Sequence, residues 1–280
     1  MYLLNQAILF LSLENSLKYN GDVGECILGK PCYTMRHGIV KGSDIMDFLT
    51  YSNVGRRKNN QDSYWASVIN LKDNATGESA DAGIVCVCDG MGGLDNGKLA
   101  SEIVIANIMD YMKKGGSIYG IVSILEKSNA EIQEKVEGKS GTTCVLCIAC
   151  NGYYTVFNVG DSRCYKWNSR VNNSQILRIT NDHTVLEEFR REGKIVNEAT
   201  KRKYKNVLTR CVGVPAKIDC DIFSGKYNLG DVFLVCSDGF WHTLSQDDFK
   251  TGNIFNLQKI ASRAMDLGEQ DNITACILRV

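Results

Sequence analysis

The feature that most constrains the fold is a set of short apolar runs that do not alternate. Ala82–Cys88, Thr142–Cys150, Asp231–Cys236 and Ile273–Val280 are apolar almost throughout. A strand with one wet face alternates apolar and polar residues; a strand covered on both faces reads as a continuous run. Further strand-like runs are Phe48–Val54, Tyr64–Ile69, Tyr153–Val159, Arg163–Trp167 and Gln175–Thr180. Asn151-Gly152, between two runs, is a hairpin signal. Helical spacing of apolar residues occupies Leu94–Lys114, Ile118–Val136, closed by Gly138, and Ile254–Leu267, closed by Gly268. Two helices adjacent in sequence and a third near the end cover different surfaces. The expected class is α+β: a sandwich of two antiparallel sheets flanked by helices.

Composition excludes several classes. Lys+Arg and Asp+Glu balance at 32 each, so nothing in the net charge draws the chain to nucleic acid or an anionic membrane. The 12 cysteines sit largely inside apolar runs, where a free thiol behaves as a small hydrophobe. With no secretion signal, a reducing cytoplasm is expected. The opening stretch MYLLNQAILFLSLENS lacks a basic leader and a cleavage site and is interrupted by Asn5, Gln6 and Ser12. It is too short to span a bilayer, and a segment packed on the domain is expected. Residues 1–45 read as an N-terminal extension and residues 46–280 as one domain.

Five aspartates sit at strand mouths. VCDGMGG places Asp89 directly after an apolar run; NVGDSR places Asp161, LVCSDGFW places Asp238, EQDNIT places Asp271, and GRRKNNQDS supplies Asp62. Strand ends gather at sheet edges, so these carboxylates can converge. Converging carboxylates repel unless a cation sits among them. All-oxygen donors select Mg²⁺ or Mn²⁺, and neighbouring glycines let backbone carbonyls approach. Two such ions about 3.5–4 Å apart can share a hydroxide and aim it at phosphorus.

In order, GRRKNNQD (55–62), VCDGMGG (87–93), SGTT (140–143), NVGDSR (158–163), DHT (182–184), NVLTRCVG (206–213), CSDGFW (236–241) and QDN (270–272) resemble the metal-dependent protein phosphatases (PPM, type 2C) in their compact bacterial form. The resemblance runs from about residue 48 to the end. It implies a serine/threonine phosphatase acting on phosphoproteins, opposing a Ser/Thr kinase, and a monomer that binds no nucleic acid. It implies two Mn²⁺ or Mg²⁺ ions held by Asp62, Asp89, the Gly90 carbonyl, Asp238 and Asp271, with Asp161 and Asp238 at a third, weaker site. Arg57 matches the arginine that clamps substrate phosphate, a task suited to a guanidinium fork. The implied mechanism is in-line attack by a metal-bridging hydroxide without a phosphoenzyme. Some members carry His after the Asp-Gly as a proposed general acid; Met91 stands there, and a thioether donates no proton. Residues 182–213 resemble the family's flap beside the active site. They keep Gly193 and the NEA turn, and carry the basic run Lys201–Lys205 where a His-Pro is common. That run reads as a solvated loop, or as a guide for acidic substrates. Arg56 and Lys58 read as solvated.

Other signals were weighed. CVLCIAC has C-x-x-C-x-x-C spacing, but residues three apart in a strand face opposite sides, which argues against zinc. His183 reads as a packing or hydrogen-bonding residue. None of the three histidines directly precedes a cysteine, so there is no cysteine-phosphatase loop. GMGG lacks the following Gly-Lys-Ser/Thr of a P-loop, and Asp95-Asn96-Gly97 lacks EF-hand spacing. Two rivals stand beside the phosphatase reading. One is a binding module on the same fold, disfavoured by the full set of repelling carboxylates. The other is a phosphatase of small molecules, which an enclosed pocket would favour.

Overall fold

The structure is a computed structural model that describes residues 32–39, 45–72, 79–92, 96–136, 140–171, 174–214 and 216–280. The opening apolar stretch and Cys26 lie outside the described residues.

Two antiparallel sheets face each other. The first has the order β1-β2-β13-β12-β9-β10, built from β1 (Cys32–Ile39), β2 (Ile45–Asn53), β9 (Arg163–Asn168), β10 (Leu177–Arg178), β12 (Asp231–Cys236) and β13 (Ile273–Arg279). The second runs β11-β8-β7-β4-β3, from β3 (Ser63–Lys72), β4 (Ser79–Cys88), β7 (Cys144–Cys150), β8 (Tyr153–Val159) and β11 (Asp221–Lys226). A short ribbon pairs β5 (Gly90–Met91) with β6 (Gly141–Thr142). Helices α1 (Asn96–Lys113) and α2 (Ile121–Lys135) cover the second sheet, while α7 (Leu257–Asp266) covers the first. The expected α+β sandwich, four layers deep, is what the chain forms.

The continuous apolar runs have the expected cause. Along β7, Val145, Cys147 and Ala149 point between the sheets, while Cys144, Leu146 and Ile148 point to α1 and α2. Along β12, Phe233 and Val235 point inward, while Val232, Leu234 and Cys236 meet the α7 layer. Each side chain is dry whichever way it points. On α7, Leu257, Ile260, Ala261 and Ala264 are buried, at helical spacing along one face. Each large apolar side chain so buried contributes about 1.5–3 kcal/mol. Between β7 and β8 the turn needs left-handed backbone: Asn151 has φ 50° and Gly152 φ 77°, the pair a type I′ hairpin demands.

Several boundaries differ from expectation. The Thr142–Cys150 run divides at Thr143 into β6 and β7, because Thr142 pairs with Gly90 rather than with β8. Gln175–Thr180 shrinks to the two-residue β10. The helices at 118 and 254 each begin with a 3₁₀ turn, Ile118–Gly120 and Asn253–Phe255. The edge strand β11 was not expected; its DIFSGK sequence alternates half-buried and exposed residues and carries a Gly and two charges that weaken the strand signal. β1 lies within the segment read as an extension and pairs with β2 from Cys32 opposite Ser52 to Ile39 opposite Ile45.

Candidate active site

The loops at one end of both sheets form a cleft of about 480 Å³, lined by Arg57, Asp89, Gly90, Met91, Asp161, Asp238 and Asp271 among others. Asp62, at the start of β3, is buried close enough to Asp89, Asp238 and Asp271 to feel their charge. The structure thus brings together the five aspartates, Gly90 and Arg57. Asp62, Asp89 and Asp161 come from the second sheet, Asp238 and Asp271 from the first, so neither sheet alone makes the site.

Asp89 and Asp62 are held through their backbone. The Asp89 N–H donates to Thr143 Oγ1 (2.9 Å), and the Asp89 carbonyl accepts from the Thr143 N–H (2.9 Å) and Thr142 Oγ1 (2.9 Å). Lys98 on α1 donates to the Asp62 carbonyl at 2.8 Å. Asn272 pins the β2–β3 loop at three points: its Oδ1 accepts from the Gln61 N–H and its Nδ2 donates to the carbonyls of Val54 and Asn59. Ser237 donates to Asp62 Oδ2 at 2.9 Å, crossing between the sheets. Thr143, Ser237 and Asn272 lie inside the quoted motifs, and Lys98 lies just beyond one. Only contacts from distant sequence reveal that they hold the carboxylates in place. Gly90 is fixed by close approach: a Cβ there would sit 2.1 Å from the Gly97 carbonyl oxygen and 2.6 Å from that of Gln61.

The carboxylates are poorly compensated. Burial, opposed by hydrogen bonds from Thr274 and Ser237 and reinforced by Asp238 and Asp271, pushes Asp62 up to about 7. Burial and repulsion from Asp238 and Asp182 push Asp161 up to about 8. Asp89 is raised well above the usual carboxylate range by burial and then by Asp62, Asp238 and Asp161; Asp238 is raised chiefly by burial. Asp62 Oδ1 and Asp238 Oδ1 are buried with no hydrogen-bond donor. Unpartnered buried carboxylate oxygens are expensive, and hard divalent cations are the partners their chemistry fits. No three of these acids bring their oxygens within 4.8 Å of one another.

Arg57 reaches across the rim to Asp271, with Nε 3.1 Å from Oδ1 and Nη2 2.7 Å from Oδ2. Its side chain is still 55% exposed, although the Nε/Nη2 edge is taken by Asp271. Arg56 donates to the Met265 carbonyl, and Lys58 is exposed at the cleft rim. His183 is buried: its Nδ1 accepts from the Gly160 N–H (3.1 Å), which leaves Nε2 to donate to Asp221 Oδ2 (3.1 Å). That is the hydrogen-bonding role read from sequence. Asp182 holds Arg163 and Arg178, Arg163 lies 3.2 Å over the Trp241 ring, and Trp241 Nε1 donates to the Asp161 carbonyl. The segment after Asp182 forms two short helices, α3 (Val185–Arg191) and α4 (Glu198–Tyr204), before Asn206 and Leu208 line the cleft. In α4, Lys201 pairs with Glu198. Arg202, Lys203 and Lys205 are exposed and have no acidic partner among the described residues. No described helix is long and apolar enough to cross a membrane.

A helix-flanked double sheet with acids converging from both sheets at one end is the architecture of a metal-dependent protein phosphatase. The sequence profile of the protein phosphatase 2C family matches residues 51–270, and the chain belongs to that family. The serine/threonine phosphatase stp of Listeria monocytogenes is 29% identical over 243 residues, 79% of this chain and 90% of that protein. PstP of Mycobacterium tuberculosis is 25% identical over 238 residues, covering 80% of this chain and 43% of that protein. Among solved structures, the S. agalactiae serine/threonine phosphatase superposes with a TM-score of 0.68 at 26% identity, covering 84% of this chain and 99% of that one. Stp1 from Staphylococcus aureus gives 0.66 at 21% identity, covering 94% and 99%.

Proposed function

We propose that the chain removes phosphate from phosphoserine and phosphothreonine in proteins, at the acid-lined cleft and with a pair of divalent ions. Asp62, Asp89, the Gly90 carbonyl, Asp238 and Asp271 would hold the pair, and Asp161 with Asp238 a third, weaker site. The observation that carries this reading is the pair of buried, donorless oxygens, Asp62 Oδ1 and Asp238 Oδ1, within a ring of acids that Arg57, paired to Asp271, compensates only at the rim. Bound there, Mn²⁺ or Mg²⁺ supplies an activated hydroxide and neutralises charge on the phosphoryl oxygens.

The chain's own residues do the rest. Arg57 is the fork at the rim, placed to take two phosphate oxygens. Thr142, Thr143, Lys98 and Ser237 keep the acids from moving apart as their charge develops. Neither histidine nor cysteine is among the residues lining the cleft, which disfavours a phosphohistidine or phosphocysteine intermediate. Met91 donates no proton, so the departing alkoxide takes its proton from water. A protein substrate is favoured over a metabolite because the cleft opens beside a long exposed segment, with the fully exposed Ile195 and the cations of α4 outside it. Residues 46–280 would be the catalytic domain. The chain would act as a monomer in the cytoplasm, opposing a Ser/Thr kinase.

The test is hydrolysis of a phosphothreonine peptide and an aryl phosphate with Mn²⁺, with Mg²⁺ and after EDTA. Metal-dependent turnover of both, lost in Asp89→Asn, is expected. Turnover that survives EDTA, or metal binding with no turnover on any phosphopeptide, would overturn the reading.

A further inference from the structure

CVLCIAC does not form a metal site along its own strand, but folding gathers a different trio of cysteines. Cys86 and Cys88 are two apart on β4 and face the helix layer together. The register that sets Val87 opposite Val145 brings Cys144 of β7 beside them. The three Sγ atoms lie within 4.8 Å of one another, and all three residues are fully buried. The neighbours in that core are apolar, Ala100, Val104 and Val159 among them.

We propose that Cys86, Cys88 and Cys144 form a binding site for a trivalent thiophilic centre, with arsenous acid as its simplest source. Three sulfurs already within 4.8 Å of one another can close on one shared centre by small rotamer changes. Charge selects the ligand. Three thiolates around a divalent ion carry one net negative charge, and around a monovalent ion two; an apolar interior penalises both. Around As(III) the complex is neutral. The exchange balances: three As–S bonds replace three As–O bonds, and each thiol proton leaves with a hydroxyl as water. Arsenic keeps its oxidation state. Because the site is buried, loading requires local opening and is slow. Cys88 is bonded to Asp89, and Cys144 to the Thr143 that grips Asp89 on both sides. Drawing the sulfurs together therefore acts on Asp89, a consequence that rests on the proposed phosphatase reading.

The experiment loads the full chain with sodium arsenite, counts arsenic per chain by mass spectrometry and reads its neighbours by X-ray absorption. One arsenic bound by three sulfurs is expected, with affinity at least tenfold weaker in Cys86→Ala and Cys144→Ala and unchanged in Cys150→Ala. Coordination by two sulfurs and one oxygen, or equal binding by Cys86→Ala, would overturn the site; the absorption spectrum of the unaltered chain decides this even if a variant fails to fold. Zn²⁺ loading of the same trio as tightly as arsenite would overturn the charge argument. Aryl-phosphate turnover that is unimpaired at full arsenic occupancy would overturn the link to Asp89. A chain that binds arsenic but turns over no phosphoester would leave the site standing and sink the phosphatase reading instead.

Discussion

Replacing Asp62 by Asn should stabilise the metal-free protein while destroying its capacity for metal. Asp62 is 2% exposed, and its carboxyl is pushed from an ordinary 3.8 up to about 7. A group whose folded pKa is raised weakens the fold as pH climbs from the unfolded value toward the folded one, since the unfolded chain gives up the proton first. The penalty is absent below about pH 4, grows through pH 5–7 and is complete above it. Three units correspond to about 4 kcal/mol. Asn keeps the shape and removes the charge, but weakens the acceptor that Ser237 and Thr274 use, at about 1 kcal/mol per hydrogen bond. The expected net gain at pH 8 in EDTA is therefore about 2–3 kcal/mol, shrinking as pH falls and reversed near pH 4, where only the weakened hydrogen bonds remain and the variant is about 1–2 kcal/mol the less stable. Urea unfolding of both proteins across pH 4–8 measures it. Addition of Mn²⁺ should reverse the order, stabilising the wild type alone. A variant less stable than wild type at pH 8 without metal, or a difference independent of pH, would refute the reasoning.

Other outcomes follow from the same geometry. Asp89→Asn and Asp238→Asn should lose metal-dependent turnover by at least a thousandfold, with circular dichroism unchanged. Arg57→Ala should raise KM for phosphopeptide about tenfold or more, the scale of a lost charge-assisted bidentate contact, with a smaller effect on kcat. Neutralising Arg202, Lys203 and Lys205 together should slow an acidic phosphoprotein more than an aryl phosphate and flatten the salt dependence of the protein reaction; equal effects on both substrates would leave these cations as solvated surface. Leu146→Ala, at a fully buried position facing α1 and α2, should cost about 2–5 kcal/mol in denaturant unfolding.

Much of the fold could be read from the chain because burial on both faces writes itself into sequence. β7, β12 and β13 are apolar almost throughout, since their apolar side chains meet either the other sheet or a helix. β11 escaped because an edge strand with one wet face and a central Gly carries almost no such signal. The site was legible as chemistry rather than geometry: five acids at strand mouths marked the cleft, but nothing local showed that Ser237 would reach from one sheet to Asp62 on the other. The cysteine trio was hidden for the same reason. Spacing within one strand argued against a metal at CVLCIAC, while the pairing of β4 with β7, a non-local fact, placed Cys144 beside Cys86 and Cys88.

The measurement that bears most directly on the carboxylate cleft is electron paramagnetic resonance of the chain titrated with Mn²⁺, in the wild type and in Asp89→Asn. The account predicts two ions per chain with an exchange-coupled spectrum, and loss of the coupling in the variant. Uncoupled single-ion spectra at saturation, or coupling that survives in Asp89→Asn, would contradict it.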